Sequence, residues 1–201
     1  MAVAQICAAL PPDFPATILL AQHLARHQPS AFVELLSRHT PLHVCWGTEG
    51  AVLQPHTIVV APPDHHMVVN AEGAVTLLAT PPIQFTQPSG DALFASVALR
   101  FRARALGVVL TGTGKDGALG AIMLKHLGGR VLVQDATSAA HFGMPSAAID
   151  TGCVDFILRL DAMARTLMAL VMAPAAAALF QVGTAFSQTH KYNALARRWR
   201  H

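Results

Sequence analysis

Apolar residues fall along this chain in short runs, broken by Pro, Gly and polar clusters. The run Ala16–Gln22 follows a proline and is continuously apolar until its end, which predicts a buried parallel strand. Pro29 and Ser30 then open a helix with Phe32, Val33, Leu35 and Leu36 on its apolar face. Thr57–Ala61 is a second buried strand, stopped by Pro62 and Pro63. Met67–Asn70 and Ala74–Leu78 flank Ala-Glu-Gly and predict a hairpin. A Pro-rich loop over 79–88 leads to Ser89, which caps a helix running to about Arg104. Leu93, Val97 and Phe101 carry its apolar stripe.

The second half repeats the alternation. Gly107–Thr111 is a strand, and the Gly-rich run Gly112–Gly117 opens a helix bearing Ile122, Met123 and Leu127. Gly128 and Gly129 end that helix. Arg130–Gln134 and Val154–Leu158 are further strands, and Asp161 caps a last helix reaching about Ala173. Buried strands alternating with helices predict one three-layer α/β domain with a mostly parallel sheet, flanked by helices, with the small hairpin near 67–78 as its irregularity. The domain takes residues 1–173, and 174–201 form an Ala-rich, then basic tail.

Composition agrees with a large core. Hydrophobic residues make 53% of the 201, and charged residues 12%. The net charge of +3 resides in the tail, where Lys191, Arg197, Arg198 and Arg200 have no acidic neighbour. The rest is close to neutral, which argues against a nucleic-acid surface. Cys7, Cys45 and Cys153 are far apart and form no CxxC, so a disulfide framework is not indicated and a reducing compartment fits. Met1–Leu10 has no basic residue and makes a poor signal peptide. Thr166–His190 lacks Asp, Glu, Lys and Arg, but Pro174 splits it; it reads as a helix followed by a loose tail, without stable membrane insertion.

In such folds, sites form in loops leaving the carboxyl ends of strands. Three places qualify: Gln22-His23, Ala61–His66 and Thr111–Gly117. Gly112, Gly114 and Gly117 match GxGxxG, with Asp135 following as a candidate ribose ligand. Against a dinucleotide site, Asp116 lies inside the phosphate loop and little chain remains for a second half. A hydrolase reading pairs Asp116 with His23, the carboxylate fixing the tautomer of a general base. His23 and His27, His39 and His43, and Asp64-His65-His66 raise the thought of zinc, but no HExxH exists and Pro41 breaks the second pair.

Five stretches, in order, carry a family resemblance: LLAQH (19–23), EGAVLQPHTIVVAPPDHHM (49–67), QPSGDALFASVA (87–98), GVVLTGTGKDGALG (107–120), and VQDATSAAHFGMP (133–145) with AAIDTGCVD (147–155). The chain resembles the catalytic domain of the chemotaxis receptor methylesterases, the CheB family, over about residues 2–172. The resemblance implies a bacterial, cytoplasmic hydrolase without cofactor. It implies removal of methyl esters from glutamates on the cytoplasmic helices of chemoreceptors, releasing methanol through a Ser-His-Asp triad. His23 matches the general base and Asp116 the triad carboxylate. The GxGxxG then becomes a site loop whose amides help form an oxyanion site. Thr113 stands where the family has Met. The family's nucleophile sits in a G-A-S-[TA]-G-G turn after a strand inside the sheet, and no serine here matches that turn. The expectation is a domain shortened at its N-terminus, Met1 falling a few residues past that turn. The rival is a catalytically inactive methylesterase-like module that binds receptors.

Overall fold

The computed structural model describes residues 1–23 and 31–172. The first helix, α1 (Ala2–Ala8), buries Val3, Ala4, Ile6 and Cys7. It is followed by β1 (Ile18–Leu20), α2 (Phe32–Ser37), β2 (His43–Trp46) and β3 (Thr57–Val60). The hairpin is β4 (His66–Val69) and β5 (Val75–Leu78). Then come α3 (Gly90–Phe101), β6 (Leu106–Val109), α4 (Ala118–His126), β7 (Arg130–Gln134), α5 (Gly143–Ile149), β8 (Phe156–Leu158) and α6 (Leu160–Met172).

The predicted parallel sheet is present, and its hydrogen bonding divides it into two three-stranded pieces, ordered β1-β3-β2 and β6-β7-β8. All four pairings within these pieces are parallel, and the hairpin is the one antiparallel pair among the named strands. Side chains alternate across each piece, as the two-residue period of a strand requires. Ile58, Val60 and Leu132 face a core built with α1, α2 and α6. Val131 and Val133 face the opposite core, with Ala95 and Ala98 of α3, Ala121 and Leu124 of α4, and Ala148 of α5. Val59 meets Met67, Val75 and Leu93 beneath the hairpin. The first core holds residues of both sheet pieces, so one helical layer spans them. The helices of the two faces and the sheet between them make the three layers.

Several local expectations shift. The helix opened by Ser89 ends at Phe101, where Arg102 turns to φ +51 and a short 3-10 turn takes Arg102–Arg104. Asp161 lies in the first turn of α6 rather than before it, and pairs there with Arg159. β2 and α5 were not expected. His43–Trp46 is four residues long, and Gly143 and Pro145 disguise a helix start. Proline is tolerated there because first-turn amides have no intrahelical partner. The expected start at Pro29 and Ser30, His27, and everything past Met172 lie outside the described residues. No helix among the described residues is long and apolar enough to cross a membrane.

Candidate active site

His23 and Asp116 are 93 positions apart in sequence, and the fold joins them. His23 follows β1, and Asp116 lies in the loop between β6 and α4. The Nε2 of His23 is 3.0 Å from Oδ2 of Asp116. The histidine side chain is 37% exposed and the carboxylate 3%, so one partner reaches solvent while the other is fixed beneath it.

Asp116 is held from every side. Its Oδ2 also accepts from the Gly90 amide at 2.6 Å. Its Oδ1 accepts from the Ser89 hydroxyl at 3.0 Å and the Asp91 amide at 3.1 Å. Four donors occupy the four acceptor positions of a carboxylate. Three of them come from the start of α3, whose N-terminal amides and dipole favour an anion. Burial alone would push this carboxyl up. The bonds from His23, the Gly90 and Asp91 amides and the Ser89 hydroxyl outweigh burial and hold it below its ordinary value. With Asp116 ionised, the His23 proton sits on Nε2 and the lone pair on Nδ1.

Ser89 is itself anchored. Its amide donates to Nδ1 of the fully buried His66 at 3.1 Å, and the other ring nitrogen of His66 bonds the Pro81 carbonyl at 3.2 Å. His66 therefore carries its proton on Nε2. From the Ala61–His66 strand end, His66 contributes a support for the site through Ser89. Among the described residues, no three His, Cys, Asp or Glu side chains converge as metal ligands would.

The Gly-rich loop serves this pair. Gly117 takes φ +90 as the residue before α4, a left-handed conformation open to glycine at little cost. A β-carbon on Gly120 would stand 2.5 Å from Cβ of Phe94, so a side chain there would force α3 and α4 apart. The first-turn amide of Gly120 donates to Oδ1 of Asp91 at 2.8 Å. A protein carboxylate thus occupies the helix start where the dinucleotide reading places a phosphate. Asp135 receives the amide and hydroxyl of Ser138 and the hydroxyl of Thr137, closing a local turn. Those bonds, the Ser138 hydroxyl first, lower its pKa. Thr113 is exposed in the loop.

Sequence reasoning recognised Ser89 as a cap and missed that the same turn grips Asp116. Gly90 and Asp91 were also missed, and His66, singled out at its strand end and weighed for zinc, instead anchors Ser89. The consecutive Ser-Gly-Asp at a helix start was the available signal. Among the described residues, no serine hydroxyl is hydrogen-bonded to His23. Ser37 bonds the Val33 carbonyl, Ser96 that of Leu93, and Ser138 the Asp135 carboxylate.

This geometry defines a class: three-layer α/β domains whose strand-end loops bring together a reachable histidine and a buried carboxylate. Comparison with known proteins narrows it. A profile of the CheB methylesterase family matches residues 1–167. A protein-glutamate methylesterase/protein-glutamine glutaminase 3 of Anaeromyxobacter dehalogenans is 40% identical over 164 residues, covering 81% of this chain and 48% of the relative. The protein-glutamate methylesterase FrzG of Myxococcus xanthus is 35% identical, covering 83% and 50%. The crystal structure of the Thermotoga maritima CheB methylesterase catalytic domain superposes with a TM-score of 0.82 at 29% identity, covering 85% of this chain and 92% of that one. The chain belongs to the CheB methylesterase family. It spans about half the length of the curated relatives it matches.

Proposed function

We propose that this domain supplies the general base and its orienting acid to a cytoplasmic protein-glutamate methylesterase acting on the methylated helices of chemoreceptors. The observation that carries the reading is the 3.0 Å contact between a half-exposed His23 and a buried, four-fold bonded Asp116. Nδ1 of His23 takes the proton of the attacking serine hydroxyl as the serine oxygen bonds the ester carbon. The imidazolium, stabilised by Asp116, returns that proton to the departing methoxy group, and methanol leaves. Water, activated by the same imidazole, then frees the glutamate. Amides of the Gly112–Gly117 loop are the candidates for binding the tetrahedral oxyanion.

The nucleophilic serine is proposed to lie outside these 201 residues, on a strand that the family resemblance implies inside the sheet. The edges of β1 and β6 support this. Each strand pairs on one side only among the described residues. Ile18 and Leu20 of β1 pack into the same core as Leu106 and Val108 of β6. A strand between them would pair both edges and bring its terminal turn to the site loops. The intact mass and N-terminal peptide of the native protein test this. A mass above 21.2 kDa, with a G-A-S-x-G-G peptide ahead of Met1, supports the complete triad. A native N-terminus at Met1 overturns it.

A second reading is a receptor-binding module without hydrolysis, favoured by the absence of a serine hydroxyl on His23 among the described residues. Methanol release from methylated receptor separates the two readings. The binding module retains receptor and releases none.

A further inference from the structure

The Asp91 carboxyl has no part in the reaction as derived above, yet it is a buried acid on a residue whose own amide helps hold Asp116. It is 2% exposed. Its Oδ1 accepts from the Gly120 amide, and its Oδ2 is buried with no hydrogen-bond partner among the described residues. An incompletely bonded buried carboxyl is costly, and a purely structural cap would serve as well with a neutral side chain.

Its surroundings form an exchange. The start of α3 gives Asp116 the Ser89 hydroxyl and the Gly90 and Asp91 amides. The start of α4 gives Asp91 the Gly120 amide, with the Gly117 and Leu119 amides facing the same carboxyl. Each helix start is capped by a carboxylate anchored beside the other. Gly120 lets the two helices approach closely enough for this, its ideal β-carbon lying 3.1 Å from Cα of Asp91. Neither carboxylate can move without loosening the helix start that holds its partner.

Resting on the reading of His23 and Asp116 as base and orienter, we propose that Asp91 is a positioning residue. It fixes Asp116 through this reciprocal exchange of caps and couples its own charge to the His23–Asp116 pair. A negative Asp91 behind Asp116 adds to the field that favours an imidazolium on His23. A neutral Asp91 removes that contribution.

The groups that face Asp91 are few. Asp116 comes from the loop before α4, and its charge disfavours a second anion. The nearby His66 of β4 bonds the Ser89 amide. The basic residues of α3 and α4 that stand in their last turns, Arg100, Lys125 and His126, are at the far ends. Burial first, with the Asp116 charge adding and the Gly120 amide opposing, pushes the Asp91 carboxyl up to about 6. The coupling would therefore switch within the working range of a histidine base.

The test is an NMR titration of the 201-residue chain across roughly pH 4–8, following the Asp91 carboxyl carbon and the His23 ring. In the wild type, the His23 resonances show an added inflection at the Asp91 midpoint. In Asp116→Asn, that midpoint falls toward the ordinary carboxylate range. In Asp91→Asn, which keeps an acceptor for Gly120, the added inflection disappears while the Gly120 amide stays protected from exchange. His23 curves that coincide in wild type and Asp91→Asn, with the fold intact, overturn the proposal. So does an Asp91 midpoint that ignores Asp116→Asn. Asp91→Ala removes the cap as well, and Asp91→Asn decides if that variant does not fold. None of these readouts needs turnover. An absence of ester hydrolysis would count against the esterase reading and leave this titration to stand or fall separately.

Discussion

Asp116 and Asp155 lie at opposite ends of the β6-β7-β8 sheet, both with side chains less than a tenth exposed, and their partners differ in kind. Asp155, just before β8, meets the Lys125 ammonium and the Arg130 guanidinium, and accepts from the Val131 amide of β7 at 2.8 Å. An ammonium and a guanidinium offset its charge. Asp116 has no permanent cation among its bonded partners. It is held by three neutral donors from a helix start and by one titratable ring. The first arrangement ties α4 to the sheet. The second keeps an anion ionised while leaving its charge to act on His23. The difference teaches that burial and bonding alone do not distinguish a structural carboxylate from a chemical one. The kind of partner does: an ammonium and a guanidinium for Asp155, an imidazole for Asp116.

The comparison breaks most decisively through the site. In a form of the protein carrying the nucleophile, His23→Ala should abolish ester hydrolysis. Asp116→Asn should cost about 10⁴-fold in kcat by favouring the wrong tautomer. Methanol release from methylated receptor measures both. Hydrolysis that survives His23→Ala would remove the pair from the mechanism. Asp155→Ala should behave oppositely. It leaves two cations facing an emptied, largely buried position, at a cost of roughly 3–5 kcal/mol in stability by urea unfolding. Hydrolysis per folded molecule should hold. If Asp155→Ala reduced turnover as Asp116→Asn does, the two carboxylates would not differ in kind.

How these regions could be read in the sequence follows the same division. Strand-end position and residue type singled out His23 and Asp116, because the base-and-orienter role proposed for them restricts the residues that can fill it. Their contact could not be derived, since parallel pairing across 93 positions depends on packing rather than on local pattern. The strands of β3 and β7 were legible as apolar runs because both faces are buried, and β6 as an apolar run whose Leu106 and Val108 are half-buried. β2 was not, because it begins with the exposed His43 and is too short to show a period. Ser89 was legible as a cap from its place before an apolar stripe. That it also binds Asp116 depends on how α3 meets α4, and Gly120, which permits that approach from the first turn of α4, looks in sequence like one more glycine after a Gly-rich loop.

A smaller effect separates Asp91 from its neighbour by sign. The Asp91 carboxyl is raised in the folded state to about 6, so between about pH 4 and 6 the folded protein binds more protons than the unfolded chain. Stability contributed by this group is therefore greatest in acid and falls as pH rises through that window. The full loss is of the order of 3 kcal/mol above it. Asp91→Asn removes the dependence. Its stability relative to wild type should improve from about pH 5 to pH 7 in paired urea titrations. Parallel curves would mean that Asp91 is charged in both states throughout.

Ser89→Ala makes the finest cut. The hydroxyl does two things: it accepts from the Ala92 amide as a cap and donates to Asp116. Loss of the cap costs about 1 kcal/mol. Asp116 keeps His23 and two amides, so hydrolysis should fall far less than in Asp116→Asn. The two roles differ in pH dependence. The capping bond is neutral and persists in acid. The bond to Asp116 favours the anion, whose carboxyl is depressed in the folded state, so its contribution is present above the ordinary carboxylate pKa of about 4 and is lost as pH falls through the lower folded value. The deficit of Ser89→Ala should therefore be largest near neutrality and shrink toward the cap alone in strong acid. A deficit independent of pH would reduce Ser89 to a helix cap, and the hold on Asp116 would then rest on the α3 amides and His23.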